Sequence, residues 1–189
     1  MIYENIMYFI WQTAKSYPNK YWLKYDWDNN PDFLLFLENK ILHINSNITF
    51  FLDKTAKIKI FMEYDFILSD AVNIFSKKLS KVVKKIAPDD IQLIEAKVFQ
   101  EHNFIDNYYI PIILNKISCI DKKNSIYDKN VDNFTKISIK KNSLKEHIII
   151  QARNYDKFIV REEFVNMCKV EKIKGIEFYK EPFIDPLYN

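Results

Sequence analysis

A thiol, an imidazole and a carboxylate are enough for nucleophilic catalysis, and this chain offers one such set on paper: Cys119, His147 and Asp121. The surrounding residues argue against it. Cys119 falls late in the apolar run "NYYIPIILNKISCID", where a small buried hydrophobe is the ordinary occupant. Asp121 and Ser125 flank a polar turn, where both residue types bond to backbone. His43, His102 and His147 stand singly, with no HExxH and no pair at helical spacing with a carboxylate. Glu95 and Glu101 lie six apart across a strand end, with nothing to orient them as an acid–base pair. The single glycine, Gly175, sets a harder limit. GxGxxG, GxxxxGK[ST] and GxSxG each need at least two glycines, so the glycine-fingerprint sites, the P-loop and the nucleophile elbow are excluded. The expectation is a protein that is not an enzyme, with no catalytic residue, no cofactor and no metal.

Composition narrows the class further. The 189 residues suit one compact unit, and 48% hydrophobic with 16% aromatic residues is ample for a core. No stretch approaches the roughly 20 apolar residues of a membrane helix. The start, "MIYENIMYFIWQTAK", has no basic n-region or small-residue cleavage site, so no signal peptide is read. Without an export signal, Cys119 and Cys168 read as free buried thiols. Lysine far outnumbers arginine, and Asn, Ile and Tyr are abundant, as AT-rich codon usage would produce. The net charge of +3 is uneven: −2 over residues 1–70, +6 over 71–145 and −1 over 146–189.

The clearest element is a helix in "SKKLSKVVKKIAP". Leu79, Val82, Val83 and Ile86 fall at i, i+3, i+4 and i+7, Ser76 can cap the start, and Pro88 enforces the end. Its outer lysines, from Lys77 to Lys85, suggest nucleic acid. Arginine is nearly absent, however, no RNP, KH or HTH signature is present and the pI of 8.6 is modest, so a solvated helix face is the better reading. "DDIQLIEAKVF", "FTKISIKK", "HIIIQARN" and "KFIV" read as strands. So does "NYYIPIILNKISCID", with Pro111 implying an edge or a bulge. "ITFFLDKTAKIKIFM" reads as a hairpin around Asp53-Lys54-Thr55, and the run after the turn Asn29-Asn30-Pro31 as helical. "REEFVNMCKV" is a second helix, which Gly175 breaks before the strand "IEFYK". The segments from 75 to 99 and from 160 to 180 thus share the order strand, helix, turn, strand. The fold expected is α+β, a largely antiparallel sheet with two similar strand–helix–strand units.

Three stretches taken in order carry a resemblance. "DFILSDAVNIFSKKLSKVVKK" with "DDIQLIEAKVF" is similar to a "pDf" element followed by "vSe-x-l", a helix and a strand. "YYIPIILNKISCIDKKNSIYD" resembles a "Yyvlnvl-x-x-vdciD-x-x-x-S" run, and "IIIQARNYDKFIVREEFVNMCKVEKIKGIEF" resembles an ending "ifr…iiVSeel…l…tGi-x-F", with Arg161 where the second "vSe" has serine. Together, over about residues 66–180, they resemble immunity-protein family eleven of bacterial polymorphic toxin systems. Tyr109, Asn115, Asp121, Ser125, Gly175 and Phe178 occupy its recurring positions. Residues 1–65 form a variable N-terminal part, and 66–189 the family-like core of the same compact unit. The resemblance implies a cytoplasmic antitoxin that neutralises the toxin domain of a secreted effector by binding it, as a monomer in a 1:1 complex. The alternatives are an enzyme that reverses a toxin's modification and a nucleic-acid-binding accessory protein.

A toxin acting on nucleic acid or a nucleotide has a cationic cleft, and an inhibitor of it gains from opposing charge and aromatic anchors. One stretch, "YWLKYDWDNNPDFLLFLE", combines both, and the expected contact residues are Asp26, Trp27, Asp28, Asp32 and Glu38. The competing expectation places Trp22 and Trp27 in the core and the acids on an ordinary solvated turn. The competing surface is the lysine face of Lys77, Lys81 and Lys84.

Overall fold

The structure is a computed structural model that describes residues 6–44, 47–130, 132–144, 146–153, 155 and 157–184. The early strands are β1 (Tyr8–Thr13), β2 (Lys24–Tyr25), β3 (Ile48–Phe51), β4 (Phe66–Ile67), β5 (Ile74–Ser76), β6 (Ile91–Gln100) and β7 (Asn103–Ile113). The later ones are β8 (Lys116–Ile117), β9 (Ile126–Asp128), β10 (Asn133–Ile137), β11 (Ile149–Ala152), β12 (Phe158–Arg161), β13 (Ile176–Lys180) and β14 (Phe183–Ile184). Helix α1 (Ile58–Phe61) is a single turn, while α2 (Lys77–Ile86) and α3 (Glu162–Val170) are longer. The architecture is mixed α+β, mostly strands, and antiparallel pairs dominate. Parallel pairing joins β3 to β6 and β8 to β11.

Six strands form one sheet in the order β2-β3-β6-β7-β5-β4, five form a second, β13-β1-β12-β11-β8, and three form a small third, β14-β10-β9. In the first sheet β5 and β6 flank β7 and run antiparallel to it, with α2 connecting them. In the second, β12 and β13 flank β1 and run antiparallel to it, with α3 connecting them. The apolar faces of α2 and α3 meet in one cluster built from Leu79, Val82, Val83, Phe164, Val165 and Cys168. Trp11 of β1 is its hub. The indole stacks on Phe75 at 5.4 Å and on Phe164 at 5.2 Å, and Phe66, Phe158 and Phe178 meet it edge-on. One side chain thus ties the two helix-bearing segments together.

Local chemistry explains the ends of these elements. The Ser76 hydroxyl accepts hydrogen bonds from the amides of Lys78 and Leu79, satisfying two orphan donors of α2. Glu162 and Glu163 lie in the first turn of α3, where the helix dipole favours negative charge. Gly175 sits between α3 and β13 with φ +95°, and a Cβ there would fall 2.4 Å from the Phe66 carbonyl oxygen. The position therefore needs glycine twice over, for positive φ and for close backbone approach. A bulge lies between Ala96 and Val98 of β6, opposite a segment of β7 where Asn107 takes φ 69°.

Two expectations need correction. The hairpin around Asp53-Lys54-Thr55 does not form. Asp53 Oδ1 accepts from the Thr55 amide and hydroxyl, and the chain turns into α1. β3 instead lies between β2 and β6. The expectation for Pro111 needs refining: the bulge lies elsewhere and β7 is internal by strand order, but Pro111 is paired on the β6 side alone. Within β7, β5 reaches only Tyr108 and Tyr109, so at Pro111 that flank is a local edge, where proline is tolerated.

Candidate partner-binding face

The groups that suggested catalysis are committed to the fold. Cys119 and Cys168 are free and buried, and burial pushes their thiols up to about 11 and about 12. His147 does not join Cys119; its Nδ1 lies 2.7 Å from Asp90 Oδ1. Asp90 is buried at the turn between α2 and β6. It also accepts from Asn115 Nδ2 and from the amides of Ile148 and Ile149, at 3.1, 2.7 and 2.9 Å. Asp121 accepts from Asn124 Nδ2 and from the Lys123 amide, and these bonds, the first above all, hold its carboxyl below the usual range. Ser125 Oγ accepts from the Ser138 amide. Asp65 is a second buried carboxylate, missed in the sequence. It accepts from Ser76 Oγ and the Lys174 amide and pairs with Lys78 Nζ at 2.9 Å, binding the start of α2 to the turn before β13. Among the described residues, no three or more His, Cys, Asp or Glu are placed to hold a metal ion.

The other positions that carried the resemblance are also structural. Tyr109 lies beneath Lys84 Nζ at 5.6 Å, Asn115 supports Asp90, and Phe178 packs on Trp11.

The stretch from Trp22 to Ile41 behaves differently. β2 is an edge strand, so the chain leaving it lies at the margin of the six-stranded sheet. Trp22 and Trp27 are not core residues: they are 47% and 56% exposed. Leu34, Leu37 and Ile41 are exposed as well. Exposure does not leave Trp27 loose. Its Nε1 donates to Asp70 Oδ2 at 3.3 Å, and the rings of Tyr25 and Phe33 meet it edge-on at 5.4 and 5.6 Å. Asp70 Oδ1 accepts from the Tyr25 amide at 2.8 Å, fixing the carboxylate that holds the indole.

The expected acids divide. Asp26 holds the turn, accepting from Asn29 Nδ2 through both oxygens, and Asp32 caps the 3-10 turn Phe33–Leu37 through the Leu34 amide. Asp28 is exposed and has no hydrogen bond or ion pair among the described residues. Burial first, then the charges of Asp32 and Asp26, push the Tyr25 phenol up to about 12, so both carboxylates act on this aromatic group. Glu38 stands apart at the far end of the 3-10 turn, in an ion pair with Lys40. The structure therefore gathers Asp26, Trp27 and Asp32 around Tyr25, adds Asp70, leaves Asp28 exposed next to Trp27 in the chain, and sets Glu38 aside. Asp70 is 43 residues from Trp27, and no local pattern announces their contact.

Phe33 and Leu37, with Trp11, Pro111, Lys157 and Phe158, also border a cleft of about 550 Å³ between the two larger sheets. On the opposite side of the charge ledger, Lys77, Lys81, Lys84 and Lys85 of α2 are exposed. No helix among the described residues is long and apolar enough to cross a membrane. No protein-family model matches the chain, and no curated protein matches it.

Proposed function

We propose that this protein is an immunity protein that binds and neutralises the toxin domain of a secreted antibacterial effector in the cytoplasm, without catalysis. The carrying observation is the Trp27 surface. An indole more than half exposed is held by two rings and a hydrogen bond, among carboxylates. Most binding energy in protein interfaces comes from a few such aromatic anchors, and preorganised ones lose least on binding. The acids around it suit a cationic partner surface and speed its approach. The resemblance of residues 66–180 to immunity-protein family eleven supports the same reading.

The test is co-expression with the toxin domain encoded beside this chain's gene. A 1:1 complex and restored growth are the expected outcome. Failure to bind that toxin, combined with salt-dependent binding to RNA or DNA through the α2 lysines, would favour a nucleic-acid accessory role instead.

A further inference from the structure

We propose that Trp27, held by Asp70 and followed in the chain by the exposed Asp28, is the seat for an arginine side chain presented by a basic segment of the protein partner. The inference rests on the partner-binding reading above and names the chemistry of the contact. Three observations carry it. The Trp27 ring is fixed in place: its N–H is taken by Asp70 and its orientation by Tyr25 and Phe33, yet 56% of the residue remains open to solvent. Its immediate sequence neighbours are both carboxylates, Asp26 and Asp28, and Asp32 lies close enough to act on Tyr25. Of these, Asp28 is uncommitted among the described residues.

Indole is the best of the aromatic faces for a cation, and a flat guanidinium stacks on it while its remaining donors reach carboxylates. Lysine offers a point charge, strongly hydrated, without the stacking plane. The same carboxylates repel phosphate, which argues against nucleic acid or an anionic membrane as the occupant of this face. Leu34, in the 3-10 turn that Asp32 caps, is exposed as well, an apolar group a few residues from the indole in the chain.

The experiment uses the full chain and three synthetic probes: hexa-arginine, hexa-lysine and hexa-glutamate. Binding is read at low salt from the indole N–H resonances, in which Trp11 serves as a buried internal reference. Hexa-arginine should shift the Trp27 resonance, leave that of Trp11 unmoved, and bind at least threefold tighter than hexa-lysine. Hexa-glutamate should do nothing. Trp27→Ala should weaken hexa-arginine binding at least fivefold, and Trp27→Phe should recover part of the loss. Asp28→Asn should weaken it by about twofold to threefold. Equal affinity of wild type and Trp27→Ala for hexa-arginine overturns the proposal, as does equal affinity for hexa-lysine. The two readings separate cleanly. A toxin that binds Trp27→Ala as tightly as wild type removes this seat and leaves the immunity reading standing. Hexa-arginine captured at Trp27 with no binding of the neighbouring toxin does the reverse.

Discussion

Trp11 and Trp27 are the same residue used for opposite ends. Trp11 is 2% exposed and touches five phenylalanine rings contributed by β4, β5, β12, α3 and β13. Trp27 is as firmly oriented, but by three contacts that leave most of it outside. The carboxylates divide in the same way. Asp65 and Asp90 are buried, each with three or four partners, whereas Asp28 has none among the described residues. A fold gains stability by satisfying its buried polar groups and packing its rings. A ring held rigid outside the core, or a charge left unpaired there, adds little to stability and is what a partner can use.

The comparison breaks first if the Trp11 region proves dispensable. Trp11→Ala should destabilise the protein by about 4 kcal/mol, because it empties the hub of the aromatic cluster. A denaturant titration reads this directly, and a loss no larger than that of Trp27→Ala would erase the distinction. Asp90→Ala should cost about 3 kcal/mol, since it strands the amides of Ile148 and Ile149 and the Asn115 side chain. Gly175→Ala should cost at least about 2 kcal/mol through positive φ and the clash with the Phe66 carbonyl.

A smaller effect appears in alkali. Burial raises both thiols from 9.0, so the unfolded chain releases protons there before the folded one does. Stability should stay level up to about pH 9 and fall as the pH climbs toward 12, and the native thiols should resist alkylation at about pH 8 until the protein is unfolded. A thiol that reacts quickly in the native state would contradict the buried placement.

What could be read from the sequence divides by distance along the chain. The Ser76 cap, the apolar stripe of α2, the Pro88 stop and the Gly175 turn are local signals, and each appears where its chemistry requires. The supposed hairpin after Ile48 failed for a local and a distant reason. The Asp53 turn leads as easily into a helix, and β3 finds its parallel partner in β6, far along the chain beyond α2. Trp27 and its acids stand out in sequence as a mixed aromatic and acidic stretch. Their rigidity does not, because it depends on Asp70, which arrives from beyond α1. Glu38 belonged to that stretch by composition alone, and its pairing with Lys40 is a neighbour effect that could have been anticipated.

The smallest expected change in stability accompanies the largest in binding. Asp26→Lys with Asp28→Lys should cost little in folding, with Asp28 contributing nothing there and Asp26 only its bonds to Asn29. The most direct test of the docking face is the association rate of the neighbouring toxin domain with this pair and with Lys77→Glu plus Lys81→Glu. The account predicts roughly tenfold slower association, or more, for the aspartate pair and little change for the lysine pair. Unchanged association with the aspartate pair, together with a marked loss for the lysine pair, would contradict it and move the docking face to α2.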